Sequence, residues 1–131
     1  MFLHLLNEDQ KRSFFALAIR MILTDGEIKP EEISYLNQLI EESGIPGEDS
    51  LVQSVETPDL SIYRSRACRL AVATELMIIA GVDERLHALE TAMLDAIETE
   101  FHLTDPDISK IRSLAKDCAE LFRKGSAIID A

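Results

Sequence analysis

Two stretches of this chain carry carboxylates at matching intervals, and carboxylates so spaced can hold a cation or cap a helix. The first is Thr24-Asp25-Gly26-Glu27-Ile28-Lys29-Pro30-Glu31-Glu32; the second is Val82-Asp83-Glu84-Arg85-Leu86-His87-Ala88-Leu89-Glu90. Asp25 aligns with Asp83, Glu32 with Glu90, and Leu36 with Leu94 further on. A hard divalent cation such as Ca2+ or Mg2+ takes six or more oxygens, more than one turn supplies. Asp25, Glu27 and Glu32 of one turn could pool with Asp83 and Glu90 of the other if the turns face each other across a pseudo-twofold axis. The second reading is structural: each Asp accepts backbone amides of its own turn, and each Glu completes a helix start. Both readings use the same residues and stay open at this point.

Neither turn is a calcium EF-hand. With Gly26 at the glycine of that loop, the first two oxygen-ligand positions fall on Met21 and Leu23, and in the second copy on Ile79 and Gly81. Arg85 stands where the first copy has Glu27, so a cation there opposes a bound metal. Glu84-Arg85-Leu86-His87 has the Glu-x-x-His spacing of di-iron bundles, but the first copy offers Gly26 and Lys29 at those places, so the second motif is missing. His4, His87 and His102 are dispersed, and no nucleophile motif or phosphate-binding glycine loop is present. The chain reads as a non-enzyme, with metal-sensing by conformational change as an alternative and di-iron catalysis as a remote third.

The elements that would position these turns are helices. Helical apolar spacing and start and stop signals predict a helix over Glu8 to Leu23 and a second opening at Pro30 and stopping at Ser43-Gly44. A short helix is expected within Glu48 to Val55, and a longer one over Ile62 to Ile79. A further helix spans Ala88 to Phe101. Thr104-Asp105-Pro106-Asp107 starts the last, expected to end near Arg123 with Gly125 to Ala131 as a loose or peripherally docked tail. No run alternates as a strand would, so the expected fold is all-α.

Length and composition bound the rest. The 131 residues make one domain able to bury its own core. A net charge of −11 argues against nucleic acid and anionic lipid, and favours cations or a basic partner surface. Ten carboxylates and one cation, Lys29, lie between Asp25 and Asp59; Arg64, Arg66 and Arg69 then reverse the sign. Those arginines are expected to pair with carboxylates of their own chain. Cys68 and Cys118 read as buried thiols of a reducing compartment. Leu70 to Val82 is strongly apolar but too short to span a bilayer, and it contains Glu75. The expected location is cytoplasmic, without membrane insertion.

An apolar helix running into Thr24-Asp25-Gly26-Glu27-Ile28 then Pro30-Glu31-Glu32, repeated as Val82-Asp83-Glu84-Arg85-Leu86 then Glu90, resembles the tellurite-resistance TerB family. That superfamily also includes the N-terminal domain of a membrane-anchored DnaJ-like cochaperone. The resemblance covers about residues 14 to 115. It implies a compact bundle of about seven helices built from two pseudo-symmetric repeats, about 14–46 and 72–104, with a C-terminal helix over about 105–123. It also implies a scaffold role in stress-response assemblies near the inner face of a bacterial membrane. Protein partners, membrane-associated ones among them, follow from that role; a homodimer stays open. Divalent-cation binding would fall to Asp25, Glu27, Glu32, Asp83 and Glu90 by matching position.

Overall fold

The computed structural model describes residues 2–23, 30–44, 59–81 and 88–130; the side chains of residues 31, 32, 81 and 88–90 lie outside the description. Among the described residues the chain is helical, with no strand. Five α-helices, α1 (Glu8–Leu23), α2 (Pro30–Ser43), α3 (Arg66–Gly81), α4 (Ala88–Glu100) and α5 (Asp105–Ile129), are accompanied by two 3-10 turns, Leu3–Leu5 and Leu60–Ile62. The segment 48–55, where a short helix is expected, lies outside the described residues.

Local chemistry sets the boundaries. Before α1, Asn7 and Gln10 exchange hydrogen bonds: the Gln10 amide donates to Asn7 Oδ1 at 2.8 Å, and the Asn7 amide donates to Gln10 Oε1 at 2.9 Å. Gly44 ends α2 with a φ of 71°, the left-handed conformation that glycine adopts without a Cβ penalty. The start of α3 falls later than the expected Ile62. Asp59 instead caps the 3-10 turn through the Ser61 amide, and Ser65 Oγ accepts from the Cys68 amide at 3.1 Å, so the helix begins at Arg66. At the end of α4, His102 takes the left-handed place of a glycine, with a φ of 55°. Its amide donates to the Thr99 carbonyl, and the Leu103 amide to that of Glu98, which closes a Schellman motif.

The last helix departs most from expectation. Thr104 and Asp107 form a reciprocal capping box with proline in the first turn. From there α5 runs through Gly125 to Ile129 instead of ending near Arg123, so the stretch expected as a tail is helical through Ile129. Gly125 does not adopt a left-handed φ, unlike Gly44, so it interrupts nothing.

The core surrounds α3. Residues 71–80 are buried without a break, the mark of a helix apolar on every side. Phe14, Phe15 and Met21 of α1, Leu36 and Leu39 of α2, Leu94 and Ile97 of α4, and Ile111 and Ala115 of α5 belong to the same cluster. α3 and α5 run side by side from a shared level: Arg66 at the start of α3 donates to Asp107 Oδ1 at 2.7 Å. At 1.5 Å per residue, α5 is longer than α3 by roughly 13 Å, so about the last two turns of α5 project beyond the end of α3.

Candidate functional site

Most of the acidic-turn residues that the sequence singles out fall outside the described structure. Asp25, Glu27 and Asp83 lie outside the described residues, as do Glu84, Arg85 and His87. Glu32 falls in the first turn of α2 and Glu90 in that of α4, with side chains outside the description. Among the described residues, no three His, Cys, Asp or Glu side chains gather where one ion could reach them.

The described polar centre lies elsewhere, on Glu75. This carboxylate is fully buried in the middle of α3. Its Oε2 accepts from the Tyr35 hydroxyl at 2.8 Å, and its Oε1 accepts from the Phe2 amide at the same distance. Burial and then the neighbouring Glu75 charge push the Tyr35 phenol far above its ordinary range, so it stays a donor. Burial and then Glu75 also push the Cys118 thiol up, which disfavours the nucleophilic thiolate. Tyr35 in turn meets Phe122 edge to face, with ring centroids 5.5 Å apart. The chain start, α2, α3 and α5 thus converge on one carboxylate.

A second buried knot lies at Gln10. Its Nε2 donates to the Ile62 carbonyl at 2.8 Å, and its backbone carbonyl accepts from the Tyr63 hydroxyl at 3.2 Å. The Cys68 thiol donates to the Leu5 carbonyl at 3.2 Å. Both Cys68 and Cys118 are free and buried. Of the clustered arginines, Arg66 pairs with Asp107, and Arg69 donates to the Tyr63 and Arg64 carbonyls among the described residues. Between α4 and α5, Arg112 lies 3.6 Å from Asp95 and 3.8 Å from Glu98. Burial raises the pKa of Glu98 even so, with Arg112 opposing the shift and Asp95 adding to it.

Among the described residues two surfaces stand out. A cleft of about 200 Å³ is lined by Leu3, His4, Lys11, Glu42 and Ser43, below the usual size of a small-molecule pocket. The other surface is the projecting end of α5. Leu121, Ile128 and Ile129 there are 68 %, 78 % and 82 % exposed, and Phe122 covers only part of its ring against Tyr35. Large aliphatic side chains gathered on one solvent-facing helix end mark a contact surface more often than scattered single ones do.

Sequence reasoning missed both features, though each left a signal. Glu75 is the lone carboxylate of the apolar run Leu70 to Val82, and burial of a charge in such a run requires donors around it. The α5 end is hidden when the last helix is taken to finish near Arg123. No helix among the described residues is long and apolar enough to cross a membrane. No family model, curated protein or solved structure matches the chain.

Proposed function

We propose that this protein is a non-enzymatic helical interaction module of the cytoplasm, working in assemblies of the kind the tellurite-resistance resemblance implies. The observation that carries this reading is the apolar end of α5, which projects past the helix it packs on and leaves Leu121, Ile128 and Ile129 in solvent. Burying such side chains against a partner releases roughly 1.5–3 kcal/mol each, a driving force the protein does not use on its own fold. The polar interior supports the same reading. The Glu75 carboxylate is occupied by structural donors, and Cys118 is held as a thiol, so neither is poised as a nucleophile. A divalent cation held weakly by Asp25, Glu27, Glu32, Asp83 and Glu90 would order the two turns of this module.

The test has two arms. Crosslinked complexes recovered from cells are compared for the unaltered chain and for the paired change Ile128→Asp and Ile129→Asp. Partners recovered equally with both chains would remove the α5 end from the reading. Calcium and magnesium titrations followed by backbone amide shifts test the cation. Saturable shifts that vanish in the paired Asp25→Asn and Asp83→Asn variant support it, and a flat response to both ions ends it.

A further inference from the structure

The apolar residues at the end of α5 are arranged symmetrically about one glycine. Leu121 and Phe122 stand four and three places before Gly125; Ile128 and Ile129 stand three and four places after it. Residues three and four apart share a helix face, so all five positions form one stripe centred on Gly125. The same stripe runs back into Cys118 and Ile111, which are buried against the rest of the fold.

Gly125 has no role within its own chain that only glycine could fill. A Cβ built on it meets no atom within 4 Å, and its φ is not in the left-handed region. A glycine inside a helix nevertheless costs about 1 kcal/mol relative to alanine. What it supplies is a backbone with no side chain in the middle of an apolar stripe, where another helix can approach closely.

From these features we infer that the end of α5 pairs with the end of α5 of a second copy, antiparallel, crossing at Gly125. This rests on the interaction-module reading and names the partner of that surface. An isologous twofold contact requires that each residue meeting another be met by it in return. An antiparallel crossing at residue 125 satisfies that: Leu121 faces Ile129 of the second copy, Phe122 faces Ile128, and glycine faces glycine. Charge permits the approach. The chain carries −11 overall, yet along residues 116–130 three cations, Lys116, Arg123 and Lys124, balance three carboxylates, Asp117, Glu120 and Asp130. Two copies can therefore meet here without the repulsion that their other surfaces impose. The contact is confined to the four side chains Leu121, Phe122, Ile128 and Ile129 around Gly125, far fewer residues than a standard specific interface uses, which sets a weak, reversible dimer.

The experiment is sedimentation of the full chain over a wide concentration range, with Nile red fluorescence at the lowest concentration as a separate measure of the apolar surface. A reversible, concentration-dependent monomer–dimer equilibrium is expected. The Ile128→Asp and Ile129→Asp pair should weaken it at least tenfold while leaving the helical circular dichroism signal unchanged. Under mild oxidation, Gly125→Cys should give a covalent dimer, and Ile128→Cys should not, because residue 128 meets residue 122. Preferential crosslinking through residue 128 would mean a parallel pair and overturns the antiparallel geometry. A chain that stays monomeric to millimolar concentration overturns self-pairing altogether. In that case Nile red bound by the unaltered chain and lost in the Asp pair leaves the surface for a different partner, whereas no dye binding removes the interaction-module reading as well.

Discussion

The two halves of α5 carry one continuous apolar stripe and meet opposite fates. In the first half Ile111, Ala115 and Cys118 are buried beside α3, with the Thr104–Asp107 capping box and the Arg66–Asp107 pair fixing its start. In the second half Leu121, Ile128 and Ile129 follow at the same helical spacing and stand in solvent. Periodicity therefore defines which face of a helix is apolar, while the length of the neighbouring helix decides how much of that face the chain covers by itself. Where α3 ends, the stripe changes from core to surface.

The sharpest contrast comes from truncating one residue in each half. Ile111→Ala should cost about 2–4 kcal/mol in chemical denaturation, since it opens a cavity in packed surroundings. Ile128→Ala, measured at a concentration where the chain is monomeric, should stay within about 0.5 kcal/mol of the unaltered protein. Equal losses at the two positions would erase the distinction between the halves. At the joint between them, Tyr35→Phe keeps the ring beside Phe122 and removes the donor to Glu75. A loss of about 1–3 kcal/mol is expected in the same measurement, because a buried acceptor is left short of a partner. No change in stability would show that the Tyr35 hydroxyl does not hold the joint.

Gly125→Ala should act with the opposite sign, raising monomer stability by about 1 kcal/mol in a thermal or denaturant scan. A loss of stability instead would mean that the projecting half is packed after all. The smallest effect lies at the capped start. The Arg66 guanidinium, with help from Thr104, lowers the Asp107 pKa from an ordinary 3.8 to about 2. A carboxyl lowered on folding contributes stability that is complete above the unfolded pKa and lost as pH falls through the folded one. That contribution should therefore fade between about pH 4 and pH 2. An NMR titration of the Asp107 carboxyl carbon reads it directly, and Arg66→Ala should move the midpoint up; an unmoved midpoint would remove the pair as its cause.

Much of the architecture is legible from short-range chemistry. The helical periodicity and the signals around Pro30, Ser43-Gly44 and Thr104 mark α1, α2, α4 and the start of α5, because each boundary is set by residues within a few positions of it. The start of α3 is less legible, since Leu60 and Ile62 continue an apolar pattern that only the Ser65 cap and the Asp59 turn interrupt. Gly44 and Gly125 look alike in a sequence and differ in φ: the helix stops at the first and continues through the second. The Glu75 centre is illegible for a different reason. Its partners Phe2 and Tyr35 are 73 and 40 positions away, and no local spacing announces such a meeting. The acidic turns, conspicuous in the sequence, fall mostly outside the described residues.

The bond from the Phe2 amide to Glu75 also bears on the protein's birth. At synthesis rates of 5–20 residues per second, the ribosome needs roughly 4–15 seconds to travel from the first partner to the second. During that interval α1 has been made, but the central helix of the core that Phe14, Phe15 and Met21 join is still incomplete. The nascent chain thus exposes the aromatic face of α1 for seconds, long enough for a chaperone to find it, before the carboxylate arrives that fastens the beginning of the chain.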